Sequence, residues 1–165
     1  MNKISFEKLI KSLLDHYKVG NFNEVEKLSK KLIENFPKNA FGWKIFSLIL
    51  KKNGKIYDSL TAGKKALKLM PNDVEICYNL GNTYKQLNKL DEAIIHYKKA
   101  IKLNSNYSDA YNNLAITLRE LGSLDECINI YKKLISINPN YAAAYNNLGI
   151  VLKKLNKLNE AQKNY

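Results

Sequence analysis

A chain that repeats itself at a fixed interval of 34 residues has few folds open to it, and this chain does so from end to end. Gly20, Gly54, Asn88, Gly122 and Asn156 stand at that interval. Glycine, and after it asparagine, tolerates the left-handed backbone that ends a helix. Soon after each comes an apolar residue: Phe22, Ile56, Leu90, Leu124 and Leu158. A carboxylate follows in turn at Glu24, Asp58, Glu92, Glu126 and Glu160, suited to the positive first turn of a new helix. Pro37, Pro71 and Pro139 close three of the repeats where a proline stops a helix, and Ser105 takes that place in another.

The stretch from Val74 to Tyr107 shows the unit most clearly. Cys77, Leu80, Gly81 and Tyr84 recur at spacings of three and four, one face of a helix. Asn88 ends that helix, and Asp91 and Glu92 open a second, whose apolar side carries Ala93, Tyr97, Ala100, Ile101 and Leu103. Lys98, Lys99 and Lys102 lie near its negative end. The expected fold is all-α, an α-solenoid of antiparallel helix pairs. A single array covers residues 1–165, with repeats at about 6–39, 40–73, 74–107, 108–141 and 142–165. The last has only part of its second helix, Leu158 to Tyr165, which would leave Ala161 and Tyr165 without a partner layer. The chain therefore reads as a piece of a longer protein.

Departures from the pattern carry their own expectations. Ser12, His16 and Ser29 occupy places that later repeats fill with larger or apolar residues, as a solvent-facing end repeat would require. Trp43 sits on the aromatic core position and reads as a packing residue. Gly63 leaves a gap where later repeats have tyrosine, to be filled by a neighbour. Cys77 and Cys127 fall on core faces and read as buried thiols. His16 falls on a core position and His96 on an exposed face, neither with a thiol or carboxylate at ligand spacing, so no metal and no cofactor is expected.

Hydrophobic residues make up 45% of the chain and charged ones 25%, enough apolar content to bury a core between stacked pairs. No run approaches the ~20 apolar residues of a membrane span, and the N-terminus lacks the apolar stretch of a secretory signal; a cytoplasmic location follows by default. The net charge is +12, but Arg119 is the only arginine and the lysines form no long block. Bidentate recognition of phosphates or base edges has almost nothing to work with, which argues against a nucleic-acid surface. No catalytic constellation is visible.

The pattern resembles the tetratricopeptide repeat: Cys77, Leu80-Gly81, Tyr84, Ala93, Tyr97 and Ser105 stand on its signature positions. So do Tyr111, Leu114-Ala115, Leu118, Cys127, Tyr131 and Pro139 one repeat later, and Tyr145, Leu148-Gly149 and Leu152 after that. Trp43, Phe46-Ser47, Leu50 and Pro71 match in the second repeat, while the first is the weakest match. The resemblance implies a curved stack whose first helices line the inner surface. The inward positions it implies are the second, fifth, sixth, ninth and twelfth of each repeat.

On that frame, Asn79, Asn113 and Asn147 form one inward column, Tyr78, Asn112 and Asn146 stand beside it, and Asn82 lies one turn on. A side-chain amide offers a donor and an acceptor, which matches a peptide backbone whatever its sequence. Helical layers lie about 10 Å apart and an extended chain advances ~3.3 Å per residue, so each layer would meet about every third peptide residue. Lys51, Lys85, Arg119 and Lys153 give the same groove a positive edge, which suits an acidic partner. Such an asparagine ladder is similar to that of protein O-linked N-acetylglucosamine transferases, and similar repeats precede sulfotransferase and methyltransferase domains; no catalytic region of those kinds is present. The clamp of chaperone-tail binders is absent, since Tyr78 and Ala143 occupy two of its positions. The expected function is a scaffold that binds an extended peptide. The alternatives are the substrate-selecting arm of a transferase, and a scaffold that self-associates through its open C-terminal end.

Overall fold

The computed structural model describes residues 5–155. Among them are nine α-helices and no strand: α1 Phe6–Lys18, α2 Phe22–Asn35, α3 Ala40–Lys52, α4 Ile56–Leu69, α5 Val74–Gln86, α6 Leu90–Leu103, α7 Ser108–Leu121, α8 Leu124–Ile137 and α9 Ala142–Lys154. The fold is all-α and of the α-solenoid class, short turns folding successive helices back on one another. The helix expected at Leu158–Tyr165, with Asn156, Glu160 and Ala161, lies outside the described residues.

The repeated turn residues have a clear backbone reason. Gly20, Gly54 and Gly122 adopt φ of 74°, 77° and 86°, and Asn88 adopts 56°. Only glycine and, less comfortably, asparagine enter that region routinely. Each turn hands the chain to a second helix whose first turn carries Glu24, Asp58, Asp91 with Glu92, or Asp125 with Glu126. First helices of the earlier repeats are capped by side chains: Ser5 accepts from the Lys8 amide, Asn39 from Gly42 (3.0 Å) and Asp73 from Ile76 (2.8 Å).

The helices group into two compact units, Met1–Thr83 and Tyr84–Tyr165, the division falling within α5. In the first unit α1 packs on α2, α2 on α3 and α3 on α4. Leu13, Val25 and Ile49 form its buried cluster, with Phe22, Leu28 and Ile45 against it. Ser47 and Ser59, both buried, each donate to the other's carbonyl oxygen at 2.8 Å, tying α3 to α4 with neither hydroxyl stranded. In the second unit α6 packs on α7, α7 on α8 and α8 on α9 around Tyr97, Tyr131, Leu114, Leu134 and Leu148.

Three details differ from expectation. Ser29 is fully buried rather than solvent-facing, and its hydroxyl is satisfied by the Glu26 carbonyl one turn back at 2.9 Å. His96 is half-buried rather than exposed, its ring stacked on Tyr84 with centroids 5.1 Å apart. Leu103, placed on the apolar side of α6, stands at the helix end and is exposed. Both cysteines are buried and neither is in a disulfide.

Candidate functional site

In the unit Tyr84–Tyr165, α7 and α9 bring part of the asparagine pattern together. The Asn147 amide donates to Asn112 Oδ1 at 3.4 Å, a long and therefore weak bond across 35 residues of sequence. Asn112 and Asn147 thus share one surface, each half-buried, with Asn146 exposed beside them. Asn113 is half-buried, and its main-chain carbonyl accepts from the Thr117 hydroxyl at 2.7 Å. The Tyr131 hydroxyl is buried below, and no hydrogen bond of ordinary geometry reaches it. Burial holds its pKa well above the ordinary tyrosine value; the Asn147 amide pulls weakly the other way.

The positive edge is less uniform than its sequence column. Lys85 Nζ lies 3.1 Å from Glu120, so that charge is already neutralised. Arg119 is half-buried, and its guanidinium acts on the Cys127 thiol and on Tyr131; burial nevertheless pushes the thiol up to about 11. Lys153 is exposed.

In the unit Met1–Thr83, Tyr78, Asn79 and Asn82 are half-buried. Asn79 borders a cavity of about 10 Å³ with Lys44, Ser47, Gly63, Ala66, Ile76 and Leu80, room for a single water and not for a ligand. Lys44 pairs with Asp73 (3.3 Å) and with Glu75. Burial opposes its charge, but the two carboxylates outweigh that and raise its pKa. Lys51, two turns further along the same stripe of α3, is half-buried, and among the described residues no carboxylate forms an ion pair with it.

The same unit holds a surface that the asparagine pattern does not reveal. Leu13, Leu14 and Tyr17 from α1 and Ile45, Leu48, Ile49 and Lys52 from α3 enclose a cleft of about 300 Å³. The sequence does carry a signal for it, because Leu14, Ile45 and Leu48 occupy inward repeat positions. A second cleft of about 350 Å³ lies over Trp43 and Phe46, bordered by Glu26, Lys30, Lys55 and Asp58. Trp43 is therefore a half-buried wall of a cleft rather than sealed core, its indole donating to the Pro37 carbonyl at 2.8 Å. Among the described residues no cluster of three His, Cys, Asp or Glu side chains is placed to hold a metal, and no helix is long and apolar enough to cross a membrane.

Comparison with known proteins agrees with the repeat architecture. The tetratricopeptide repeat family matches residues 74–107 and 96–129, and a TPR repeat family matches 116–156. No curated protein is significantly similar in sequence. Among solved structures, one of MamA protein is 26% identical over 96% of this chain and 87% of its own, with a TM-score of 0.90. MamA from Desulfovibrio magneticus RS-1 is 16% identical over 99% and 92%, TM-score 0.91, and shares the fold. YrrB, described as a TPR protein with an unusual peptide-binding site, is 19% identical over 99% and 84%, TM-score 0.84, again a likeness of fold.

Proposed function

Because this chain carries tetratricopeptide repeats, we propose that it is a non-catalytic scaffold whose inner face holds an extended segment of a partner protein. The observation that carries the reading is the shared surface of Asn112 and Asn147, two amides from successive first helices within hydrogen-bond reach of each other. Their mutual bond is long, so a peptide backbone can replace it at little cost. Asn113 and Asn146 extend the set within that unit, with Lys85, Arg119 and Lys153 as its charged edge; in the unit Met1–Thr83 the counterparts are Asn79, flanked by Tyr78 and Asn82, with Lys51 as the charge. YrrB, a protein of the same fold, has a peptide-binding site, which supports the class of ligand.

The transferase-arm alternative rests on the sequence resemblance to such arms; a reading frame that continues past Tyr165 into a catalytic domain would favour it. Self-association through the open C-terminal end is a separate alternative, which a monomer in light scattering at high concentration would count against; a cytoplasmic location is part of the scaffold proposal. The test is selection of peptides from a random display library on the full chain, followed by titration against Asn113→Ala/Asn147→Ala. The double variant should keep its helicity and bind the selected peptides at least about tenfold more weakly. Undiminished affinity would overturn the groove.

A further inference from the structure

The turn between α3 and α4, inside the unit Met1–Thr83, holds Asn53 and Gly54, the only Asn-Gly pair in the chain. Gly20 and Gly122 make the equivalent turns after Val19 and Leu121, and Asn88 makes its own after Leu87. The difference matters because asparagine followed by glycine closes a ring on itself more readily than any other asparagine pair. With no Cβ on the second residue, its amide nitrogen reaches the asparagine side chain unhindered. At Gly54 even an added Cβ would meet nothing within 4 Å, so the neighbourhood does not crowd that nitrogen either.

The chemistry needs water and nothing else. The Gly54 nitrogen gives up its proton and bonds to Asn53 Cγ. The bond from Cγ to Nδ2 breaks, and Nδ2 leaves with that proton as ammonia. Water then opens the resulting succinimide at one of its two carbonyl carbons, giving aspartate or isoaspartate. No electrons change hands; a neutral amide has become a carboxylate.

The folded chain holds this step in check. Asn53 Nδ2 donates to Glu26 Oε2 at 2.6 Å, while Lys55 donates to Glu26 Oε1. A carboxylate that accepts from the amide fixes its orientation and leaves Cγ a poorer electrophile. The Gly54 N–H is taken by the Lys51 carbonyl at 3.1 Å. Asn53 caps α3 with φ −83° and ψ 9°, and ring closure requires ψ to swing far from that value, which undoes the helix end.

After conversion the same contact turns repulsive. A carboxylate at position 53 would face Glu26 Oε2 where a donor stood, with Lys55 left to serve both. Glu26 belongs to α2, Asn53 caps the end of α3 and Lys55 the start of α4, so this one cluster fastens the first repeat to the second. We propose that Asn53 and Gly54 form a self-acting modification site, guarded by Glu26 in the closed fold, whose conversion to aspartate or isoaspartate loosens α2 from the α3–α4 pair. This goes beyond the scaffold reading and does not depend on which partner binds.

The full chain is aged in warm, mildly alkaline buffer, once native and once in urea. Mass spectrometry follows the peptide carrying Asn53, and isoaspartyl methyltransferase labelling counts the isoaspartate. In urea Asn53 should convert ahead of the other asparagines; in the native chain it should be at least about tenfold slower, because only the opened turn reacts. Glu26→Ala should raise the native rate at least about threefold, the worth of one hydrogen bond. Lys55→Met removes the same ion pair but leaves the Asn53 amide held, and should not raise it. Asn53→Asp should speed amide hydrogen exchange in α2 at least about threefold, with α8 as the unaffected reference. Slow conversion in urea, or equal rates native and unfolded, would overturn the site or its guard. Equal acceleration by Glu26→Ala and Lys55→Met would assign the protection to general stability and overturn the role of Glu26. Unchanged exchange of α2 in Asn53→Asp would overturn the loosening.

Discussion

Leu80 occupies the space that Gly63 leaves open: a Cβ added to Gly63 would stand 2.9 Å from Leu80 Cδ2 and 3.1 Å from Ser47 Oγ. Leu80 is buried and has little freedom to retreat. Gly63→Ala gains about 1 kcal/mol of helix propensity but overpacks the site by about 2 kcal/mol, a net loss of about 1 kcal/mol in urea denaturation. With Leu80→Ala already in place the sign should reverse, Gly63→Ala then stabilising by about 1 kcal/mol. An unchanged sign would mean that Leu80 is not the obstacle.

Gly122 isolates the backbone cost of the repeated turn. Its φ is 86°, and a Cβ there would meet nothing within 4 Å. Gly122→Ala should therefore lose about 1–2 kcal/mol through conformation alone. Asn88→Gly, at φ 56°, should lose nothing. Chemical denaturation of the two variants side by side checks both.

Removing the Tyr131 hydroxyl takes away a buried polar atom that lacks a well-formed hydrogen bond. Tyr131→Phe should match or exceed wild-type stability, by up to about 1 kcal/mol. A loss of comparable size would show that the Asn147 amide satisfies the hydroxyl after all.

Glu26 gives a pH signature. Its carboxylate pairs with Lys55 and accepts from Asn53 Nδ2 at 2.6 Å. The Lys55 hydrogen bond holds its pKa below the ordinary 4.5, burial opposing and Asn53 assisting. A lowered folded-state value contributes stability above 4.5 that is lost as pH falls through the folded pKa. Lys55 is half-exposed, so the loss stays under about 1 kcal/mol. Thermal melts from pH 6 to about pH 3 should show it, and Glu26→Gln should flatten the decline in that window.

The fold is legible in the sequence because its determinants are local. A turn that needs positive φ admits glycine or asparagine, and that restriction is written at Gly20, Gly54, Asn88 and Gly122 without reference to anything distant. Core faces are legible for the same reason, through spacings of three and four along one helix. What depends on other repeats is not. Nothing near Ser29 announces that neighbouring helices bury it completely, and the Lys85–Glu120 pair joins residues on different helices. In the candidate site the residue types are visible in the sequence but their engagement is not. Asn112 meets Asn147 and Lys44 is paired, whereas Lys51, on the same stripe, has no ion-pair partner among the described residues. The apolar cleft between α1 and α3 hides behind the more conspicuous asparagine repeat, although Leu14, Ile45 and Leu48 stand on the same inward positions.

Cys77 and Cys127 fall one in each compact unit, and both are sealed from solvent. A thiol whose pKa sits near 11, as at Cys127, holds almost no thiolate at neutral pH and is shut away from reagents besides. Alkylation of either sulfur must wait for its surroundings to open. Mass spectrometry of peptides carrying each label would time those openings separately, so the chain arrives with an internal clock for each half and needs no engineered probe.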